Sequence, residues 1–162
     1  MLRVDLRDLQ QGPVRTVGEV ASEDPVFEGL GLEFVEPVSV NGQLQKTGTG
    51  EYLWRGHLHG VVHGECRRCL TDVERELNID VAAAVFSSDP EALDEPDFYP
   101  IPERATHVDL GEVVREELAL AAQMQLLLCR EDCAGLCPKC GADLNAGPCR
   151  CMTESTSGHT PA

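Results

Sequence analysis

Six cysteines lie close together near the end of the chain, in Cys129-x3-Cys133-x3-Cys137-Pro138-Lys139-Cys140-Gly141 and in Cys149-Arg150-Cys151. A further pair lies upstream, in Cys66-Arg67-Arg68-Cys69. Zinc takes four nitrogen or sulfur ligands, and two thiolates that are two or three residues apart in a tight turn can reach one ion. A glycine after the second thiol lets the backbone turn under the metal. The eight cysteines therefore predict two Zn²⁺ sites with thiolate ligands.

Spacing allows two divisions of these cysteines between two ions. The first joins the two pairs nearest the C-terminus in a local set and leaves a long-range set for the other four. The local set is Cys137, Cys140, Cys149 and Cys151, and the long-range set is Cys66, Cys69, Cys129 and Cys133. The second division joins the four cysteines of 129–140 and pairs the two outer groups. Loop-closure entropy favours the first, because the local set closes a shorter loop. Either division uses every cysteine in a closed site, which predicts structural rather than catalytic zinc.

Disulfides, an iron–sulfur cluster and free thiols are the alternatives to zinc. A disulfide framework requires an oxidising compartment. Residues 1–8 are charged throughout and contain no apolar segment of the length that a signal peptide needs. We therefore expect a cytoplasmic protein with reduced thiols. No apolar run approaches the roughly 20 residues of a membrane span, so no membrane association is expected.

The chain is strongly acidic, with 28 Asp and Glu against 13 Lys and Arg and a net charge of −15. Such a surface repels a phosphate backbone unless a local basic patch overrides it, and it favours a basic protein partner. Arg67 and Arg68, together with Arg55 and nearby histidines, form the candidate basic patch. These histidines are His57, His59 and His63, which share one face of a predicted strand. The solvent-facing side of an antiparallel sheet is their expected place.

Alternating apolar and polar residues predict an antiparallel sheet in the first half of the chain. The pattern indicates strands over 32–44, with a hairpin turn at Asn41-Gly42, and over Glu51 to Glu65. The second of these runs into Cys66, and a further strand is expected over 70–86. The first cysteine pair is thus predicted at a turn between two strands.

A helix is predicted after the sheet, beginning near Asp109, which is expected to cap it together with Glu112. Its apolar stripe is Leu110, Val114, Leu118 and either Ala121 or Ala122. We predict an α+β fold: an antiparallel sheet with one main helix and a C-terminal zinc-ribbon-like element. The expected parts are an α+β domain over 1–128, with a mobile acidic loop near 87–105, a zinc-binding element over 129–152 and a disordered tail over 153–162.

The chain shows no phosphate-cradling glycine loop, nucleophile elbow or His-Glu-x-x-His motif. We therefore expect no enzyme and no small-molecule substrate.

The chain resembles the YceD family in three features. These are the sheet-rich first half that ends in Cys66-Arg67-Arg68-Cys69-Leu70, the acidic middle, and the stretch Gly135-Leu136-Cys137-Pro138-Lys139-Cys140-Gly141-Ala142-Asp143-Leu144-Asn145. This resemblance implies a factor in large ribosomal subunit biogenesis that supports accumulation of large-subunit rRNA. The implied partner is the pre-ribosomal large subunit, through rRNA, a basic ribosomal protein or both.

A thiol redox switch is the alternative function, of the kind found in holdase chaperones that lose zinc on oxidation. Zinc-bound thiolates react with oxidants when solvent reaches them, so the paired cysteines are compatible with this function.

Overall fold

The computed structural model describes residues 2–124 and 127–151. The tail predicted over 153–162 lies outside these residues. The strands are β1 (Arg3–Asp5), β2 (Val14–Val20), β3 (Glu33–Phe34), β4 (Val38–Gly48), β5 (Glu51–Glu65), β6 (Asp72–Ser87), β7 (Phe98–Pro100) and β8 (His107–Asp109), and the helix is α1 (Gly111–Met124). Short 3-10 helices span Asp8–Gln11, Pro25–Phe27, Pro90–Asp94 and Leu144–Ala146.

The main sheet has the order β2-β4-β5-β6-β7, with β3 also pairing with β5. All of its pairs are antiparallel except the β6–β7 pair at one edge. A second, two-stranded sheet joins β1 to β8. Helix α1 packs against β6 and against the 3-10 helix Pro25–Phe27. The α+β class, the antiparallel sheet and the single main helix predicted from the sequence are confirmed for the described residues.

The core lies between the inner face of the main sheet and α1. Trp54, Leu58 and Leu77 from β5 and β6 belong to the same buried cluster as Val114 and Leu118 of the helix. The indole N–H is the polar group of the buried Trp54 side chain, and it donates a hydrogen bond to Thr16 Oγ1 at 2.9 Å. The alternation of buried and exposed residues in β5 and β6 leaves the opposite face of the sheet to solvent.

The predicted hairpin at Asn41-Gly42 is wrong, because β4 runs through both residues. Gly42 has a packing role instead: a Cβ atom there would lie 2.8 Å from the Trp54 ring and 2.5 Å from the Arg55 carbonyl oxygen. The chain reverses further on, between β4 and β5, where Gly50 has a φ of 67°. Glycine is therefore required at position 42 because the Trp54 ring lies close to the backbone, and at position 50 because the turn needs a positive φ.

The start of the helix and the acidic stretch 87–105 also differ from the prediction. Helix α1 begins at Gly111, and Asp109 Oδ1 accepts a hydrogen bond from the Gly111 backbone N–H at 2.8 Å, not from the third helical residue. The acidic stretch 87–105 contains the 3-10 helix Pro90–Asp94 and strand β7, which pairs with the end of β6. The mobility of this stretch and the domain boundary at residue 128 stay predictions.

Candidate metal centre

The structure brings the long-range set together at one end of the main sheet. Cys66 and Cys69 lie in the turn between β5 and β6, and their Sγ atoms meet those of Cys129 and Cys133. The Cys66–Cys133 Sγ distance is 3.8 Å, the Cys69–Cys129 distance is 3.6 Å, and all four sulfurs lie within 4.8 Å of one another. Cys66, Cys69 and Cys133 are buried, and Cys129 is the most exposed of the four.

These distances fit a four-coordinate metal. A tetrahedral zinc with Zn–S bonds of about 2.3 Å has sulfur–sulfur edges of roughly 3.8 Å. A disulfide would require sulfurs about 2.05 Å apart, which neither measured pair approaches. The sulfur atoms of the long-range set are thus arranged as the ligands of a tetrathiolate site, and the set is compatible with zinc.

The first cysteine turn is built by backbone hydrogen bonds around the thiols. The Leu70 N–H donates to the Cys66 carbonyl at 2.8 Å, and the Cys66 N–H donates to the Thr71 carbonyl at 2.8 Å. Leu70 has a φ of 63°, a conformation that disfavours residues with a Cβ atom, and its side chain is 58% exposed. The turn therefore keeps its shape even though it lacks the glycine that follows the second thiol elsewhere in the chain.

Backbone N–H groups favour the thiolate form of the buried ligands. Burial raises the pKa of the Cys66 thiol, but hydrogen bonds from the backbones of Cys69, Cys129 and Arg68 outweigh it and lower this pKa to about 6. A thiolate stabilised in this way is ready to bind a cation, since metal binding requires the thiol proton to leave. By contrast, burial and neighbouring thiols raise the pKa of Cys129 to about 12.

The local set forms a second four-sulfur group, with its Sγ atoms also within 4.8 Å of one another. Its first turn repeats the geometry of the Cys66 turn: the Gly141 N–H donates to the Cys137 carbonyl at 2.8 Å, and Gly141 has a φ of 74°. Backbone N–H groups of Cys140 and Lys139 lower the pKa of Cys137 to about 6. The two groups are therefore those of the first division drawn from spacing, and the binding of ions by them stays a prediction.

Asn145 lies in the sequence within the local set but contacts a sulfur atom of the long-range set. It lies in the 3-10 helix between Cys140 and Cys149, yet its Nδ2 atom donates to Cys133 Sγ of the long-range set at 3.4 Å. Its Oδ1 atom accepts from Arg130 Nη2 at 2.7 Å and from the Ala134 backbone at 2.9 Å. The Asn145 side chain is the first of the causes that lower the pKa of Cys133. A residue that lies in the sequence between ligands of the local set thus stabilises a thiolate of the other set.

Spacing in the sequence did not identify Asn145. The sequence shows only that Asn145 is a single amide residue between two cysteine pairs, two residues after Asp143. In the structure the Asp143 carboxylate accepts a hydrogen bond from the Asn145 backbone N–H at 2.9 Å. The position in the sequence predicts a local turn, but it does not tell which sulfur group the amide reaches.

The candidate basic patch is divided by the fold. Arg68 Nη1 donates to the carbonyl oxygens of Cys133 at 3.0 Å and Glu131 at 3.4 Å, so it holds the two parts of the long-range set together. Arg67 and Lys139 are exposed and have no ion pair within the described part of the chain. They are the cations next to the sulfur groups that remain free to contact a partner.

The three histidines of β5 do not meet in a common metal site. His57 Nδ1 lies 2.8 Å from Asp80 Oδ1, His59 Nδ1 lies 3.0 Å from Asn78 Oδ1, and His63 Nδ1 lies 3.4 Å from Glu33 Oε2. Each of them faces a different partner on the solvent side of the sheet. Within 2–124 and 127–151, the groups with metal-ligand geometry are the two cysteine sets.

A family model described as "Large ribosomal RNA subunit accumulation protein YceD" matches residues 54–159. The chain belongs to the YceD family. The match includes β6, α1 and all eight cysteines of this YceD chain, and it confirms the resemblance drawn from the cysteine turns. No curated protein and no solved structure matches the chain significantly. None of the helices described in this YceD structure is long and apolar enough to cross a membrane.

The family description relates this YceD chain to accumulation of large-subunit rRNA and names no enzyme activity. Its two four-cysteine groups can hold metal ions and are compatible with zinc.

Proposed function

We propose that this chain is a non-enzymatic factor in biogenesis of the large ribosomal subunit, and that it binds two structural zinc ions. The family match supports the pathway, and the two groups of four cysteine sulfurs, each within 4.8 Å of one another, support the zinc ions. The ligands are Cys66, Cys69, Cys129 and Cys133 for one ion and Cys137, Cys140, Cys149 and Cys151 for the other. The proposal places the protein in the cytoplasm with assembling ribosomes.

Closed coordination supports a structural rather than catalytic role for the metal. A catalytic zinc keeps three protein ligands and an open position for water or substrate. In each group here, four thiols can occupy all four positions. The ion in the long-range set would fasten the end of the β5–β6 hairpin to the segment after α1, and the ion in the local set would hold the C-terminal turns in place.

The partner under this proposal is the pre-ribosomal large subunit, through rRNA, a basic ribosomal protein or both. A net charge of −15 attracts basic ribosomal proteins and repels RNA over long distances. Arg67 and Lys139 are exposed beside the sulfur groups and are available for short-range contacts with phosphate. Arg68 is not, because it donates to backbone carbonyls of its own chain.

Depletion of the protein from its host cell tests the pathway. We expect the ratio of large-subunit to small-subunit rRNA to fall, and the tagged protein to co-sediment with precursors of the large subunit. An acidic protein of equal net charge serves as the control for nonspecific capture. An unchanged rRNA ratio, together with no enrichment of precursors over this control, would refute the proposed function.

Elemental analysis of protein purified without added metal tests the zinc sites. We expect two zinc ions per chain and free thiols that become titratable only after chelation. No observation on the described residues favours the redox alternative. Peroxide that releases zinc and makes the protein bind unfolded clients would nevertheless establish that function.

A further inference from the structure

We propose that the solvent face of the main sheet carries a second site, which binds phosphate groups of an RNA backbone through Arg15 and Arg55. This inference rests on the proposed function, because it assigns an RNA contact to a ribosome biogenesis factor. The site is a groove of about 600 Å³, separate from both sulfur groups. Its lining includes Arg15, Asn41, Gln43, Arg55, His57 and Ala82.

Strand pairing places the two arginines on one row across three strands. Arg15 of β2 pairs with Gln43 of β4, and Gln43 pairs with Arg55 of β5. All three residues are exposed, on the face of the sheet opposite the core. Two strand spacings separate the two arginine Cα atoms by roughly 9 to 10 Å. The guanidinium groups can therefore bind neighbouring phosphates of one strand, with the Gln43 amide between them.

Neither arginine is neutralised by its own protein. Over residues 2–124 and 127–151, neither Arg15 nor Arg55 makes a side-chain hydrogen bond or ion pair, although the chain has 28 acidic residues. Their cross-strand neighbour Gln43 is uncharged. The carboxylate that lines the groove is Asp80, whose Oδ1 atom lies 2.8 Å from His57 Nδ1 and makes no ion pair with either arginine. The row thus keeps its positive charge for an external anion.

A bulge keeps Arg55 uncovered. The register between β5 and β6 shifts so that two residues, Ala82 and Ala83, lie opposite Arg55 between the pairs Trp54–Ala84 and Gly56–Val81. Both alanines are exposed and too small to cover the guanidinium group. Bulges of this kind occur often beside functional sites, where they redirect a side chain.

The lining favours phosphate over the other acidic ligands. Protein interfaces draw most of their affinity from anchors such as Trp, Tyr and Arg in well-packed, desolvated pockets, whereas the two arginines of this groove lie on an exposed sheet face. The aromatic ring in the lining is the His57 imidazole, and no Phe, Tyr or Trp ring lines the groove as a platform for bases. Contacts with the RNA backbone match these groups, because Arg binds phosphate with two parallel hydrogen bonds and without regard to sequence.

The test compares the full zinc-bound chain with the double variant Arg15→Gln/Arg55→Gln. The matched control is Lys46→Gln/Arg104→Gln, which removes two exposed cations outside the groove and changes the net charge equally. The probe is a short single-stranded RNA of mixed sequence, titrated at several salt concentrations. We expect the groove variant to lose about tenfold in affinity and its salt dependence to fall by about two phosphate contacts, because each arginine that contacts a phosphate contributes about one. The control should bind as the unaltered chain does.

Other outcomes separate this site from the proposed function. If the groove variant binds RNA as well as the control does, the groove is not the RNA site. If the unaltered chain fails to bind RNA but still co-sediments with large-subunit precursors, the groove proposal fails and the proposed function stands. If a polyglutamate peptide competes better than RNA, the groove binds an acidic protein segment and the RNA assignment is overturned.

Discussion

Asn145 is the residue whose substitution tests most directly whether the two metal sites are coupled. Asn145→Ala removes the amide that donates to Cys133 Sγ at 3.4 Å and accepts from Arg130 and Ala134. The Cys133 thiolate then loses a hydrogen bond, and Arg130 loses its contact with the 3-10 helix Leu144–Ala146. The expected defect is faster zinc loss from the long-range set, although Asn145 lies between ligands of the local set.

The size of this effect follows from the contacts. A hydrogen bond to a charged group contributes about 1.5 to 3 kcal/mol, and the lower end applies here because Asn145 is only half-buried. Loss of a group that hydrogen-bonds to a metal ligand lowers metal affinity by about 10- to 100-fold. Tenfold corresponds to about 1.4 kcal/mol, so the two estimates agree. We therefore expect zinc affinity of the long-range set to fall by at least roughly tenfold.

A second variant separates the thiolate contact from the support of the loop. Asn145→Asp keeps an oxygen acceptor for Arg130 and Ala134. It removes the N–H donor to Cys133 Sγ and to Asp143 Oδ1, which lies 2.9 Å from Asn145 Nδ2, and it places a carboxylate beside both. If the N–H to sulfur contact matters, this variant loses zinc at least as readily as Asn145→Ala. Asn78→Ala is the matched control, since it removes an amide that contacts His59 far along β6.

Transfer of zinc to a chromophoric chelator, followed over time, measures both sites in one experiment. Two kinetic phases are expected, and the variant Cys149→Ser identifies the phase that belongs to the long-range set, because it lacks a ligand of the other. The coupling is refuted if both Asn145 variants release zinc from the long-range set at the rate of the unaltered protein. If only Asn145→Ala releases zinc faster, the role of Asn145 is to support the loop through Arg130 and Ala134, and its N–H to sulfur contact does not matter.

Three further predictions concern stability. Cys66→Ser and Cys149→Ser should each bind about one zinc ion instead of two by elemental analysis, but Cys66→Ser should lower Tm more, because its site joins two distant segments. Gly42→Ala should cost about 1 to 3 kcal/mol in denaturant unfolding, since its Cβ would lie 2.5 Å from the Arg55 carbonyl oxygen. Leu70→Asn should stabilise the protein by up to about 1 kcal/mol, because asparagine tolerates a φ of 63° better.

Each of these predictions has an outcome that would contradict it. Gly48→Ala adds the same methyl group where the nearest side-chain atom is 3.7 Å away, and an equal loss in both glycine variants would contradict the packing role of Gly42. Equal Tm values for the two serine variants would show that the long-range site does not join the segments. A clear loss of stability in Leu70→Asn would mean that the exposed leucine makes a packing contact that offsets its backbone strain.

Local patterns were sufficient where the physical cause is local. The alternation of apolar residues located β5 and β6, and the predicted stripe placed Val114 and Leu118 on the buried face of α1. Cysteine spacing also predicted two groups of four, since a thiol pair in a tight turn defines its own geometry. The hairpin at Asn41-Gly42 failed because this dipeptide predicts a turn only when no neighbour requires its glycine, and here the Trp54 ring occupies the space of a Cβ atom.

The sequence by itself determined the residue types: eight thiols in spaced pairs, an acidic surface and the periodicities of a sheet and a helix. The tertiary structure alone decided which thiols converge, that the Asn145 amide reaches across to Cys133, and that Arg15 and Arg55 share a row across β4. The physical reason is that thiol spacing and periodicity act over a few residues, whereas these contacts join segments brought together only by strand register and chain reversal.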